Sequence, residues 1–566
     1  MRTEEHENKS GEGVQDYVIR REDRDFLFEL TTGKENTIPI NESERYDNEE
    51  RYKVKQPKPK DPEPYLMTAE EKRLKEAESV PADLKEVKRT LEEMAGLGAS
   101  FDLLFREMTY GGKETGLLYL NGFVKDQVLT LIMMRLTEIK PEEMTGDALQ
   151  QFFSLYIPHI QVEKVDNMPE IIHKVLSGGS ALFINGETTA IVMDVKALPA
   201  RGPEEPSTER VVRGARDGFI ETLLTNVSLV RRRLRDPRLK LEMLQVGRRT
   251  KTDVCVAYIN DIADLSLVAE VKKKIALIDV DGISMADKEL EEAIVGKGWN
   301  PYPAVRYTER PDVAAYHLLE GHVCLFVDTS PSVIMLPTTF FHHVQHAEEH
   351  RQTPFIGTYL RWVRFFGIFS SLFLLPLWFL LVFKPELKPA SLGFIGPQDE
   401  GRIPILAQFL LVELGVDLMR LAAIHTPTPL ATAMGLIAAI LIGDVAISAG
   451  LFVREVILYM AVAAIGMFAT PSYELGLANR IVRLILLLAV AAFGVPGFVV
   501  GTTAVMIILI TQRSYQTPYL WPFIPFHARG MFDIIFRRPL LAHRYRSTIT
   551  KPQDRDRMSA KMHNRQ

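Results

Sequence analysis

From Phe365 to Phe383 the chain runs for 19 residues without an ionisable side chain, and Arg361, Trp362 and Arg364 stand just before that stretch. In hydrocarbon a backbone must satisfy its own hydrogen bonds, so an apolar run of this length with a Trp and basic residues at its entry predicts a membrane-spanning helix. Overall hydropathy near zero conceals two unlike halves, a charged one up to about residue 360 and an apolar one from Phe365 to Thr511. The predicted fold is therefore an α/β soluble region of two related subdomains followed by an α-helical multi-pass transmembrane domain. The arginine pair marks the cytosolic end of the first span and places the front region inside.

Further apolar segments follow. Ile403 to Ile424 is interrupted by Glu413, Asp417 and Arg420, at spacings of four and three that put all three on one helical face. Charges in hydrocarbon are costly unless paired or wet, so the stripe predicts a pore lining, a cavity or an inter-helix ion pair, and a helix lying flat in the interface would also account for it. Pro429 to Phe452 carries a single acid, Asp444, and glycines at 435, 443 and 450 spaced for close helix approach. Val456 to Thr470 is 15 residues long and ends at Pro471-Ser472-Tyr473, predicting a re-entrant piece or a tilted span broken at Pro471 and Tyr473. The 28 uncharged residues from Leu484 to Thr511 exceed the bilayer and must tilt or break at Gly494-Val495-Pro496-Gly497. Next come the aromatic residues Tyr515, Tyr519, Trp521 and Phe523, then a tail from His527 with ten Arg or Lys against three Asp, which belongs on the cytosolic side. With both ends inside, the crossings are even in number, four or six.

The front region opens with residues 1–60, many charges and few apolar side chains, which predicts a disordered tail. No apolar h-region follows the N-terminus, so targeting is expected from the first span. The segment around Pro81 predicts two polar helices. From Phe101, strand-like runs alternate with helical ones, and the pattern recurs: TGLLYLNG aligns with TDVCVAYIN, setting Tyr119 against Tyr258 and Asn121 against Asn260, 139 residues apart. Farther on Pro169 aligns with Pro311 and Phe183 with Phe326, with hairpin turns expected at Asn185-Gly186 and at Thr329-Ser330-Pro331. Between the copies Arg231, Arg232, Arg233, Arg235 and Arg238 cluster at a helix end. They would favour the helix macrodipole and pair with Asp236 and Glu242, or else meet a lipid surface, a nucleic acid or another subunit. Cys255 and Cys324, the only cysteines, fall in β-like runs and read as buried thiols.

Enzymatic signals are few. His346-Ala347-Glu348-Glu349-His350 satisfies the H-x-x-E-H pattern, and on a continuous helix His342, His346 and His350 would share a face suited to zinc, a weak candidate in a short approach helix. Neither a G-x-x-x-x-G-K-[ST] loop nor a G-x-S-x-G elbow occurs. The expectation is no enzyme, no cofactor and no nucleic-acid partner.

The stretches RGARDGFIETLLTNVSLVRRRLRDPRL, NPYPAVRYTERPDVAAYHLLEGHVCLFVDTSP, PTTFFHHVQHAEEHRQTPFIGTYLRWVRFF, LVELGVDLMRLAAIHTPTP and TPSYELGLANRIVRL resemble, from Phe101 to Pro539, the spore germinant-receptor A-subunit family. HHVQHAEEH and AAIHTPTPLATAMGLIAAILIGD point within it to the stage V sporulation AF branch. Leu421-Ala422-Ala423 departs from the Glu-Ala-Gly that nutrient-receptor members carry, which argues against direct nutrient sensing. The resemblance implies a germination protein of the spore inner membrane, an oligomeric ion channel releasing cations from the core. Its partners would be membrane lipid, further copies of itself, a small membrane subunit and other germination receptors. A secondary transporter and a non-conducting scaffold are the alternatives. The expected organisation is a charged tail (1–60), a first α/β subdomain with leading helices (61–200), a second with the connector helix (201–350), the transmembrane domain (351–525) and a basic tail (526–566).

Overall fold

The computed structural model describes residues 79–558 apart from 145, 198–204, 207–208, 297–298, 390, 392, 394, 400, 426–434 and 438–444. The tail of residues 1–60 and Asp444 lie outside the described residues.

Helix α1 (Leu84–Ala95) starts at Asp83, whose carboxylate accepts the Lys85 N–H at 3.0 Å, and stops at Gly96 in the left-handed conformation. It leads into strands β1 (Leu103–Tyr110) and β2 (Lys113–Leu120), helix α2 (Asp126–Thr137), strand β3 (Val162–Val165), helix α3 (Met168–Leu176) and strands β4 (Ser180–Ile184) and β5 (Ala190–Met193). The second subdomain repeats the plan with α4 (Leu223–Arg231), β6 (Leu239–Val246), β7 (Thr252–Ile259), α5 (Leu265–Ala276), α6 (Ala286–Val295), β8 (Arg306–Thr308), α7 (Pro311–Leu319), β9 (Val323–Val327) and β10 (Val333–Leu336). The sheets are ordered β1-β2-β4-β5-β3 and β6-β7-β9-β10-β8, with antiparallel pairing throughout. Tyr119 and Tyr258 hold the same place in β2 and β7, as do Phe183 and Phe326 in β4 and β9.

Helices cover both faces of each sheet. In the first, α1 and α3 pack Val87, Leu91, Ile171 and Val175 against Leu118 and Phe183, while α2 packs Leu129 and Ile132 against Leu117 and Leu182. Burial on both faces explains why β4 (SALFI) and β9 (VCLFV) are apolar throughout rather than alternating. Cys255 and Cys324 are fully buried and unpaired, and burial pushes both thiols up.

Arg231 joins the two subdomains. It is 2% exposed and grips Asp102, at the entry to β1, through Nε at 2.9 Å and Nη2 at 3.1 Å, and it also donates to the carbonyls of Asp236 and Leu239. Arg233 takes Asp217, and Arg238 takes Asp236 and Asp261. Glu242, expected to serve this cluster, instead binds Lys272 and the Tyr258 hydroxyl.

The helical region begins with α8 (Pro354–Phe383), which starts 11 residues before the apolar stretch and carries a π turn at Ser370–Leu374. The turn falls where Pro376 cannot donate to the Leu372 carbonyl. Helices α9 (Ile405–His425), α10 (Arg454–Phe468), α11 (Tyr473–Phe493) and α12 (Val495–Thr511) follow. Gly494, with φ of +63°, breaks the long apolar stretch into α11 and α12, because only glycine takes that backbone cheaply. Among the described residues two helices, α8 and α11, are long and apolar enough to cross a membrane, and α12 is a shorter apolar helix.

The layer has two ends. At the end beside the second sheet, Arg364 of α8 donates to the Val344 carbonyl at 3.2 Å, and Gln512 after α12 donates to the Tyr302 carbonyl at 3.0 Å. Tyr473, opening α11, shares a cavity there with Arg306 and Thr308. At the far end, Gly494 lies beside Phe383 and Lys384, and Trp378 and Phe379 pack with Phe409 and Val453. The starts of α9 and α10 meet at that far end, with Arg402 N–H on the Gly450 carbonyl at 3.0 Å and Val453 N–H on the Gln408 side chain at 2.9 Å. The C-terminal segment returns to the sheet end. Helix α13 (Ala528–Ile535) offers its last carbonyls to Arg361 and Trp362, and beyond it Thr550 donates to the Glu320 carbonyl at 2.6 Å.

Candidate functional site: an ion-paired helix face

The α9 face carries Glu413, Asp417 and Arg420, and α11 answers it with Arg480 and Arg483. Glu413 is 2% exposed. Its Oε1 accepts Arg483 Nε at 2.7 Å, its Oε2 accepts Arg480 Nε at 3.0 Å, and its backbone carbonyl accepts Arg480 Nη2 at 2.9 Å. Arg483 Nη1 also donates to the Ser371 carbonyl of α8 at 2.6 Å, so the cluster ties three helices. That carbonyl lies in the π turn, where the helical ladder is distorted. Both guanidiniums and the carboxylate are thereby satisfied, which is the condition for keeping charge in an apolar interior.

The other two residues of the stripe differ. Asp417 pairs with the opposite edge of Arg480 but leaves 41% of its side chain exposed. Arg420 stacks over the Tyr473 ring at 4.5 Å and bonds its hydroxyl. One predicted face thus divides into a buried lock at Glu413 and an accessible edge at Asp417 and Arg420.

Arg480 and Arg483 were absent from the sequence-derived site. Their signal is in the chain, two arginines three apart in ANRIVRL, but a reading of that apolar segment that begins at Leu484 leaves both outside it. The helix starts eleven residues sooner, at Tyr473, because Ser472 caps it by accepting the Leu475 N–H at 3.3 Å. Pro471 and Tyr473 mark the break between α10 and α11.

Pro471, Ser472, Tyr473 and Glu474 line a cavity of about 450 Å³ against the second subdomain. Its carboxylates, Glu209, Asp287, Glu309 and Glu474, outnumber its cations, Lys288 and Arg306. Tyr473 therefore touches both this acidic cavity and the Arg420 side chain.

The histidine reading is corrected. His342, His346 and His350 do not share one helical face, because the helix Phe340–Val344 ends, Gln345 and His346 are extended, and a second short helix runs Ala347–Arg351. His346 caps that second helix through Nδ1, which accepts the Glu348 N–H at 3.2 Å. Glu349, the acid of the H-x-x-E-H pattern, is fully buried between Arg361, at 2.7 Å, and Arg364, so it is a structural anion. Among the described residues no group of three His, Cys, Asp or Glu is placed to hold a metal. His342 instead sits against His317 and His322, and burial holds all three below the usual imidazole range.

The family model for the Bacillus/Clostridium GerA spore germination protein matches residues 89–549. The chain belongs to that family. This GerA-family chain is 52% identical to stage V sporulation protein AF of Bacillus subtilis (strain 168), over 81% of its own length and 93% of the relative's. It is 28% identical to spore germination protein KA of the same organism, over 84% of its own length and 88% of the relative's. With spore germination protein GerLA of Bacillus cereus it shares 30% identity over 78% and 91%. Among solved structures, the N-terminal domain of the A subunit of the Bacillus megaterium spore germinant receptor GerK3 matches at 27% identity and a TM-score of 0.37, over 46% of this chain and 97% of that one.

Proposed function

We propose that this GerA-family protein is a multi-pass subunit of an oligomeric channel in the spore inner membrane that releases cations from the core during germination. Supporting this most directly is the acidic cavity at Pro471–Glu474, which meets the accessible edge of the α9 charge stripe through Tyr473. A cation drawn into that cavity would pass next to Asp417, the acid of the stripe that is neither buried nor fully enclosed. The lock of Glu413, Arg480 and Arg483 holds α8, α9 and α11 together and leaves Asp417 and Arg420 to face a pore closed by further copies.

The order of the described helix ends supports a multi-pass arrangement. Helix α8 leaves the sheet end, α9 returns to it, residues Val445–Gly450 stand again at the far end, α10 returns, α11 leaves and α12 returns. Docking of the C-terminal segment on Glu320 fits a soluble region and tail on one side, the spore core. Leu421-Ala422-Ala423 favours a signal relayed by other subunits over direct nutrient binding.

The test is cation flux in proteoliposomes, with and without any membrane subunit that co-purifies, comparing the parent chain with Asp417→Asn. Unsaturated flux that falls severalfold in the variant supports the channel and its lining. Saturable, substrate-coupled flux would indicate a carrier instead, and no flux from correctly folded and oriented protein would leave a scaffold.

A further inference from the structure

A second cavity, of about 510 Å³, shares no lining residue with the first and is lined by the end of α7, the short helices before α8, the start of α8 and the C-terminal segment. Its size suits a small ligand. Its electrostatic character is the opposite of the acidic cavity's. Arg361, Arg529, Arg537, Arg538, Arg546 and Arg555 line it, against only two carboxylates, Glu320 and Asp533.

Both carboxylates are already engaged. Glu320 takes Arg557 at 2.6 Å and the Ser547 N–H at 3.2 Å, and Asp533 takes Arg538. Arg361 is held by Glu349, and Arg546 by Asp554 at 2.7 Å. Among the described residues no carboxylate pairs with Arg529, Arg537 or Arg555. Arg529 only stacks on Tyr545, at 5.1 Å, and Arg537 donates to the His350 carbonyl at 3.1 Å while its Nε has no partner.

Histidines complete the wall. His322 is 2% exposed, its Nδ1 meets the His317 carbonyl at 3.1 Å, and its Nε2 is buried without a partner. With Nδ1–H donating to that carbonyl, the neutral His322 ring leaves Nε2 as an acceptor, so the group here that lacks an acceptor is the buried Arg537 Nε–H, costly unless something supplies one. Guanidinium forks match the oxygens of phosphate, which can engage several donors at once.

We propose that this cavity is a binding site for a phosphate group, supplied either by a soluble anion or by a lipid headgroup reaching in beside Arg361 and Trp362. The ligand would tie the C-terminal segment to the start of α8, since Arg529 and Arg537 come from the former and Arg361 from the latter. It would act at a place separate from the acidic cavity and the α9 stripe.

The experiment is titration of the purified full chain in detergent with inorganic pyrophosphate by calorimetry, and in parallel thermal unfolding in nanodiscs of phosphatidylcholine alone or with a fifth phosphatidylglycerol. The variants are Arg529→Gln/Arg537→Gln and His322→Gln, with Arg248→Gln, an exposed arginine on another loop, as control. Saturable pyrophosphate binding that weakens at least tenfold in the double variant and not in the control supports a soluble phosphate. No pyrophosphate binding, but a phosphatidylglycerol-dependent rise in unfolding temperature that the double variant loses, supports the lipid source. The proposal is overturned if neither probe binds, or if the control loses as much as the double variant. His322→Gln guards against misfolding, since it alters the cavity wall without altering the arginines and should keep pyrophosphate binding within a few fold of the parent.

Discussion

The carboxylate of Glu413 on α9 accepts the Nε–H of Arg483 on α11 at 2.7 Å, and both side chains are almost completely buried. Glu413→Gln would leave Arg480 and Arg483 without their counter-charge, a loss on the order of 3–5 kcal/mol for a broken buried pair. The expected outcome is poor accumulation and a much lower unfolding temperature in detergent. Replacing all three residues together, Glu413→Leu with Arg480→Met and Arg483→Met, should recover much of that stability. If Glu413→Gln proved as stable as the parent, the lock would not be holding the helices.

Close helix approach is testable at Gly466 in α10. A Cβ there would stand 2.2 Å from the Gly367 carbonyl oxygen of α8, so backbone must move to admit it. Gly466→Leu should separate α8 from α10 and lower the unfolding temperature by several degrees, whereas the same change at Gly186, where a Cβ meets nothing within 4 Å, should not disturb the helices. Gly186 has φ of +92°, so some local strain in that turn is expected.

The subdomain junction depends on Arg231 and Asp102. Either Arg231→Met or Asp102→Asn strands a buried charge or weakens its pair, and each should cost a few kcal/mol. Limited proteolysis should then cut between the subdomains, near residues 198–222, sooner than in the parent chain. Unchanged digestion kinetics would remove the pair from that role.

Acid should destabilise the protein through its buried histidines. Burial holds His322 and His350 at about 4 and His317 and His342 well below the ordinary 6.5. His322 is faced by His317 and His342, with Arg306 near, and by Glu320 across the cavity. Since the unfolded chain binds these protons first, the stability is complete above about pH 6.5 and is lost as pH falls toward 4, by up to ~1.4 kcal/mol per histidine per pH unit. The unfolding temperature should therefore drop between pH 7 and pH 5, and less steeply in His322→Gln. A flat profile over that range would contradict the burial argument.

What was legible in the chain was whatever a local period or an internal repeat can carry. The apolar run from Phe365 fixed a long helix, the alignment of Tyr119 with Tyr258 marked strands that hold equal places in two sheets, and the spacing of Glu413, Asp417 and Arg420 put them on one face. Gly494 marked a break because glycine alone tolerates that backbone. Three dimensions decided the partners. Arg480 and Arg483 reach Glu413 across about 70 residues of sequence, and Arg231 reaches Asp102 across 129. The histidine stretch, read as one helix, divides at Gln345 because His346 caps a new one and Glu349 is drawn to Arg361 and Arg364. Periodicity records which way a side chain points along its own element, while pairing of buried charge depends on which elements pack together, and that is settled only when the whole chain folds.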